Sequence, residues 1–347
     1  MIRAALALAL VIAGVASAFA EPRVNVVAGG LEVPWSLAFA PDGRLFVTER
    51  PGRIRVVRDS RLEPEPVATL PVAHAGEGGL MGLALDPTFA DSGRLYVCYT
   101  AQRNDRLVNR VVALTLRDGQ AHEDRVLIED IPGAGIHDGC RLKFGPDGKL
   151  YVTTGDAGDS RRAQRLDALN GKILRINADG TVPSDNPTNG SPVYSFGHRN
   201  VQGIAWDRAG RLWASEHGPS GIPCCHDEIN VILPGRNYGW PHVYGKAHDR
   251  RFVDPVVESG NDTWAPAGIA FLGEHLYVAA LRGRRLLRIT PNADASSAQV
   301  ANLLERAYGR LRDVVTGSDG ALYVTTSNRD GRGAAASNDD RILRVEP

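Results

Sequence analysis

The sequence predicts an all-β fold, a six-bladed β-propeller with four-stranded antiparallel blades, and three observations predict it. A unit of apolar strand, tight turn and second apolar strand recurs six times along the chain. The turn is repeatedly Pro-Asp-Gly or a close variant of it. No amphipathic helical pattern interrupts the series. One blade cannot bury both of its faces, whereas a closed ring of blades can.

The first copy is Ser36-Leu-Ala-Phe-Ala-Pro-Asp-Gly-Arg-Leu-Phe-Val-Thr48. The second begins Leu80-Met-Gly-Leu-Ala-Leu-Asp-Pro and resumes at Gly93-Arg-Leu-Tyr-Val97. The third, Arg141-Leu-Lys-Phe-Gly-Pro-Asp-Gly-Lys-Leu-Tyr-Val-Thr153, repeats the first almost word for word. The fourth runs from Gln202-Gly-Ile-Ala-Trp-Asp to Gly210-Arg-Leu-Trp213, and the fifth from Gly268-Ile-Ala-Phe-Leu-Gly to Leu276-Tyr-Val278. The sixth opens at Asp313-Val-Val and closes at Ser318-Asp-Gly-Ala-Leu-Tyr-Val324. Proline pre-sets φ in such turns and glycine accepts positive φ. A third strand follows several copies, at 52–57, 171–176, 284–289 and 340–345.

Ahead of the repeats, Met1 to Ala20 has Arg3, an unbroken apolar run and an Ala18-Phe19-Ala20 end. That is the pattern of a cleaved secretory signal peptide rather than of a retained anchor. Residues 1–20 are therefore read as the signal and 21–347 as a single propeller domain, periplasmic or secreted, with no membrane insertion after cleavage. Forty Lys and Arg balance forty Asp and Glu, which argues against nucleic acid or an anionic membrane as the natural partner. The four cysteines, Cys98, Cys140, Cys224 and Cys225, can pair in three ways in an oxidising compartment or stay partly free. Cys224-Cys225-His226-Asp227 is a poor transition-metal site, because four consecutive residues cannot easily wrap a tetrahedral ion.

The repeat also says where chemistry sits. Its two strands run antiparallel, so the start of the first and the end of the second share one face of the ring. Before the first strands stand Trp35, Glu77, His137 with Asp138, Arg199 with Asn200, Trp264, and Arg310 with Arg312. After the second strands stand Glu49, Asp156, Glu216 with His217, Arg282 and Asn328. The opposite ends, mostly turns, carry no comparable set. One polar, ionisable site is therefore expected on the axis.

At these positions the chain resembles the soluble quinoprotein aldose sugar dehydrogenases, the glucose/sorbosone dehydrogenase-like propellers that use pyrroloquinoline quinone (PQQ) and calcium. The resemblance covers essentially all of 21–347. It is carried by Gly76-Glu-Gly-Gly-Leu-Met-Gly82, His137-Asp-Gly-Cys-Arg-Leu142, Gly155-Asp156, Leu169-Asn-Gly-Lys-Ile-Leu-Arg175, Gly197-His-Arg-Asn-Val-Gln-Gly203, Ser215-Glu-His-Gly-Pro219, Asp227-Glu-Ile-Asn230, Asn237-Tyr-Gly-Trp-Pro241 and Arg310-Leu-Arg-Asp313.

The resemblance implies that His137 is the general base for oxidation of an aldose at its anomeric carbon to a lactone, with hydride passing to the quinone. It implies that Asp156 orients that imidazole, that Arg199 faces the quinone oxygens, and that Asn200 is a neighbouring cofactor contact. Glu77 matches a contact to the cofactor's edge. Arg282, Arg310 and Arg312 match positions for its carboxylates, where forked guanidinium geometry suits the task. The carbonyls of Gly218 and Pro219 match calcium ligands, with Asp227 close in sequence. The partners implied are a small sugar and an electron acceptor that the sequence does not name. Two other functions compete. A calcium-dependent lactonase needs carboxylates and an Asn holding a central metal, whereas the axis here carries arginines. A non-catalytic binding module predicts an intact ring with a degraded site.

Overall fold

In several repeats the turn aspartate ties the two strands together. In the computed structural model, which describes residues 21–221 and 224–347, Asp147 accepts the Lys149 backbone N–H on one oxygen and the Tyr151 hydroxyl on the other, at 3.1 and 3.0 Å. Asp319 does the same for Ala321 and Tyr323, and Asp207 for Arg211 and the Trp213 indole N–H. The turn glycine takes the positive φ that the reversal needs, +87° at Gly43 and +70° at Gly148.

The same aromatic then reaches the next blade. Tyr96 meets Phe144, Tyr151 meets Trp206 and Trp213 meets Phe271, edge to face with centroids 5.1, 5.0 and 5.9 Å apart. Tyr323 meets Phe39 at 4.8 Å and so carries the pattern from the last blade to the first. The aromatic beside valine thus serves the turn within its own blade and the packing between blades.

Six antiparallel sheets result. Their innermost strands are Pro34–Phe39, Leu80–Leu85, Gly139–Phe144, Val201–Trp206, Pro266–Leu272 and Leu311–Thr316, each touching the next around the axis. Blades 1 to 5 take their strands in chain order from the inside outward. Blade 6 does not. Its fourth strand, Arg23–Ala28, comes from the start of the described chain and pairs antiparallel with Ile342–Glu346, Arg23 opposite Glu346. No sequence repeat marked that strand. Blade 1 differs in a smaller way, with a second short strand, Ala68–Thr69, beside Arg53–Arg58.

The apolar core is divided among the six interfaces between blades. Phe46, Ile54, Leu83 and Val97 fill the first, while Tyr96, Cys98, Leu142 and Val152 fill the second. Four similar clusters complete the circuit, ending with Ala28, Leu37, Val47 and Ile342 where the ring closes.

Every innermost strand has an irregular register near its start, as between Gly139 and Leu142, Val201 and Gly203, or Leu311 and Asp313. In blades 1, 3 and 6 a threonine hydroxyl from the second strand fills the gap. Thr153 accepts the Arg141 N–H at 2.9 Å and donates to the Val201 carbonyl of the following blade at 2.8 Å. Thr48 joins Ser36 to Met81 in the same way. Bulges bend a strand and re-aim its side chains, and all of these lie at the end of the blades where the polar residues were expected.

The expectation for residues 1–20 lies outside the described residues. Among the described ones, no helix is long and apolar enough to cross a membrane.

Candidate active site

A pocket of about 500 Å³ opens at that end of the axis. Its floor includes Trp35 and Met81, and its walls come from the loops that precede the bulges.

His137 is held there by an unusual backbone and two carboxylates. Its φ is +57°, a conformation that costs a non-glycine residue of order 1 kcal/mol. The surroundings impose it. Its N–H donates to Glu77 Oε2 at 2.9 Å, and its carbonyl lies so close to Gly155 that a Cβ there would come within 1.8 Å. This explains the glycine of the Gly155-Asp156 motif. The imidazole Nδ1 is 2.8 Å from Asp156 Oδ1. Asp156 also accepts the Gly158 N–H and the Trp240 indole N–H, both at 2.9 Å. Burial pushes the Asp156 carboxyl up, but these donors and the His137 ring outweigh it and hold its pKa below the ordinary value. A carboxylate at Nδ1 fixes the proton on that nitrogen and leaves Nε2 as the lone pair.

A second carboxyl beside the base behaves in the opposite way. Asp138 Oδ1 accepts from Asn109 Nδ2 and the Ala134 N–H, while Oδ2 is buried without a partner. Burial pushes its pKa up to about 7. Glu77 is pulled down to about 2. Burial opposes that shift, and the His137 N–H together with the charges of His217, Arg332 and His137 overrides it. The His217 ring is driven down to about 3, first by burial and then by Arg199 and Arg312, against the pull of Glu77.

Guanidinium groups ring the remaining wall. Arg310 Nε is 2.8 Å from Asp330 Oδ2, and Arg312 Nη1 donates to Gln202 Oε1 at 3.0 Å. Arg312 is pushed down to about 9, chiefly by burial. Arg199 lies over the Trp240 ring, 5.4 Å from its centroid. Arg282 lines the pocket, and Arg332 crosses it to pair with Glu77 at 2.6 Å.

Of the residues named from sequence, the pocket brings together Glu77, His137, Arg199, Gly218, Pro219, Arg282, Arg310 and Arg312. Asp156 and Asn200 stand just behind the wall. Asn200 Oδ1 accepts from Gly139 N and Gln202 Nε2, both at 3.1 Å, and its Nδ2 is buried without a partner. Asp227 also lines the pocket and stitches two loops together. Oδ1 accepts from Gly218 N, and Oδ2 from Trp264 N and Ala265 N. The other residues expected at this face serve the frame. Trp264 packs into a core cluster, Glu216 accepts from His198 and the Arg199 N–H, Glu49 pairs with Arg53, and Asn328 accepts the Arg310 N–H.

Sequence reasoning missed Arg50, Gln202, Asp330, Arg332 and Trp240 as site residues. Gln202 and Trp240 lay inside quoted motifs without a role. Asp330 and Arg332 follow Asn328 in a loop that the repeat does not constrain, and only their nearness to Asn328 could have pointed to them. The open question of the cysteines resolves into two disulfides. Cys98–Cys140 links blades 2 and 3 behind His137, and Cys224–Cys225 lies on the pocket wall.

Fold and site together define a propeller oxidoreductase, with a histidine–aspartate pair facing a cationic axial pocket. The chain belongs to the glucose/sorbosone dehydrogenase family, whose profile matches residues 31–343. It is 31% identical to the aldose sugar dehydrogenase YliI of Escherichia coli K12 over 363 residues, covering 94% of each chain. It is 35% identical to the uncharacterised protein slr1608 of Synechocystis over 368 residues, 90% of this chain and 86% of that one. Among solved structures, the PQQ-bound aldose sugar dehydrogenase of Streptomyces coelicolor superposes with a TM-score of 0.87 at 42% identity, covering 94% of this chain and 98% of that one.

Proposed function

We propose that the chain is a PQQ- and calcium-dependent dehydrogenase that oxidises aldoses at the anomeric carbon to lactones, with His137 as general base. The observation that carries this reading is the His137–Asp156 pair, 2.8 Å apart, set against a wall of arginines.

The residues present fit the cofactor. PQQ carries three carboxylates, and Arg282, Arg310 and Arg312 stand where they could be received. Asn200 Nδ2, His217 Nε2 and Arg312 Nε are buried without protein partners, and buried polar atoms call for one. They also fit a hard cation. Gly218 and Pro219 line the pocket, and neither carbonyl accepts a hydrogen bond among the described residues. Backbone carbonyls are among the oxygen donors that calcium takes. Bound there, PQQ supplies the hydride acceptor and calcium a Lewis acid.

The chain's own groups do the rest. His137 Nε2 takes the proton of the anomeric hydroxyl. Asp156 holds Nδ1–H and stabilises the imidazolium that forms. Arg199 offers fixed positive charge where negative charge develops. Glu77 fixes the His137 backbone and, through Arg332, one edge of the pocket. The same reading takes 21–347 as one exported domain acting on a soluble sugar outside the cytoplasm. The arginines disfavour a lactonase, and the preserved site disfavours a module that only binds.

The test is reconstitution of the mature chain with PQQ and calcium, following dye reduction across a panel of aldoses. Turnover should need both additions and fall by about 10²-fold or more in His137→Ala. Failure to bind PQQ would overturn the assignment. Tight binding without turnover would keep the site and change the substrate class.

A further inference from the structure

The axis has a second cavity, about 570 Å³, opening on the opposite face of the ring and lined by the other ends of the innermost strands. Trp35 separates it from the active-site pocket. The Arg312 guanidinium approaches its ring at 5.7 Å from the pocket side, and Arg141, which lines the second cavity, at 4.2 Å.

The walls of this cavity are largely apolar, with three charged residues among them, Arg141, Lys143 and Asp313. Arg141 is 5% exposed. Its Nη1 bonds Ser36 Oγ and pairs with Asp313 Oδ2, and its Nε donates to the Gln202 carbonyl. Its Nη2 is buried with no partner. Asp313 Oδ2 also accepts the Leu37 N–H, so the one carboxylate is already engaged. The Lys143 ammonium has neither a hydrogen bond nor an ion pair among the described residues, its backbone being paired with Tyr151 in the strand. Two cations therefore face one carboxylate, and both retain unused donors. Burial pushes the Lys143 ammonium down to about 8, helped by Arg141 and opposed by Asp313, so at neutral pH the amine is still mostly charged. Lys143 is only partly buried, so its ammonium stands in the cavity as a cation with no hydrogen-bonded counter-charge, beside the buried and unpartnered Arg141 Nη2, and such a pair of donors attracts an anion.

We propose that this second axial cavity is an anion site, taking a halide or a short carboxylate between Lys143 Nζ and Arg141 Nη2. Charge and donor type specify the ligand: a small monoanion able to accept from an ammonium and a guanidinium at once, with apolar wall left for a short tail. The site is separate from the cofactor pocket, so its test needs no cofactor and bears on the dehydrogenase reading in neither direction.

Crystals of the chain soaked in sodium bromide should show one anomalous peak within hydrogen-bond reach of Lys143 Nζ, and Lys143→Met should remove it. In solution, bromide and acetate are titrated separately at constant ionic strength in chloride-free buffer. Each tenfold rise in a bound anion above its Kd should raise Tm by about 2 °C. The anion that acts at lower concentration identifies the source. Lys143→Arg should keep the response, which separates loss of charge from loss of fold. If Lys143→Met does not fold, the wild-type peak and Tm shift decide. A peak without any Tm shift up to about 100 mM means binding at crystal concentration only and overturns the proposal. So does the absence of a peak, or an undiminished shift in Lys143→Met.

Discussion

Three carboxyl groups surround His137, and their environments give them different tasks. Asp156 receives three donors and stays ionised against the ring. Asp138, with one oxygen unpartnered, holds its proton to about 7. Glu77 is lowered from 4.5 to about 2 and so links the site to stability. The folded-state pKa lies below the unfolded one, so Glu77 contributes stability above pH 4.5 that is lost as pH falls through about 2. Glu77→Gln should therefore be less stable than wild type above pH 4.5, and the difference should shrink as pH falls toward 2. Urea midpoints measured across that range check it. A difference that stays constant with pH would mean that the carboxylate's charge is not what stabilises the loop.

At the scale of the strand, the hydroxyls at the bulges do two jobs with one atom. Thr153→Val removes the acceptor of the buried Arg141 N–H and the donor to the Val201 carbonyl at once. It should cost about 1 to 3 kcal/mol, read from urea unfolding, with blade contents unchanged by circular dichroism. Much of the blade was legible beforehand because it is built from local chemistry. The Pro-Asp-Gly turns and the aromatic that follows each second strand's leucine are short-range signals, and they located the first two strands of all six blades and the third strand of four. What escaped depends on neighbours distant in sequence. The fourth strand of blade 6 has no turn to announce it. Asp330 and Arg332 reach the site from a loop with no repeat register, and Arg332 finds Glu77 across 255 positions. The Cys98–Cys140 pair was within reach of the register argument, since Cys98 follows the Leu-Tyr-Val of a second strand and Cys140 stands near the start of the first strand of the next blade. Asp156 and Asn200 were placed on the correct face, but no periodicity could say that they stand behind the pocket wall.

For the whole molecule, stability is a property of the closed circuit. Each interface between blades holds its own apolar cluster, and the circuit is completed by Arg23–Ala28. Removing residues 21–28 should leave Ile342–Glu346 as an unpaired edge and open the cluster around Leu37 and Ile342. The expected outcome is a lower Tm, by about 1 to 2 °C for each kcal/mol lost, with concentration-dependent association through the bare edge. Calorimetry and light scattering measure both. An unchanged Tm would show that five blades and a three-stranded sixth suffice.

That joining strand also sets a schedule. Five blades are complete as soon as their own residues have been made, so they can condense one after another as synthesis proceeds. Blade 6 cannot, because the first described strand must pair with the last, Arg23 with Glu346. Until the last residues are released, the first strand waits with an open edge and the ring stays a horseshoe. The longest loop in the protein is thus closed at the end of folding, and that late step carries the highest contact order and the greatest exposure to mispairing.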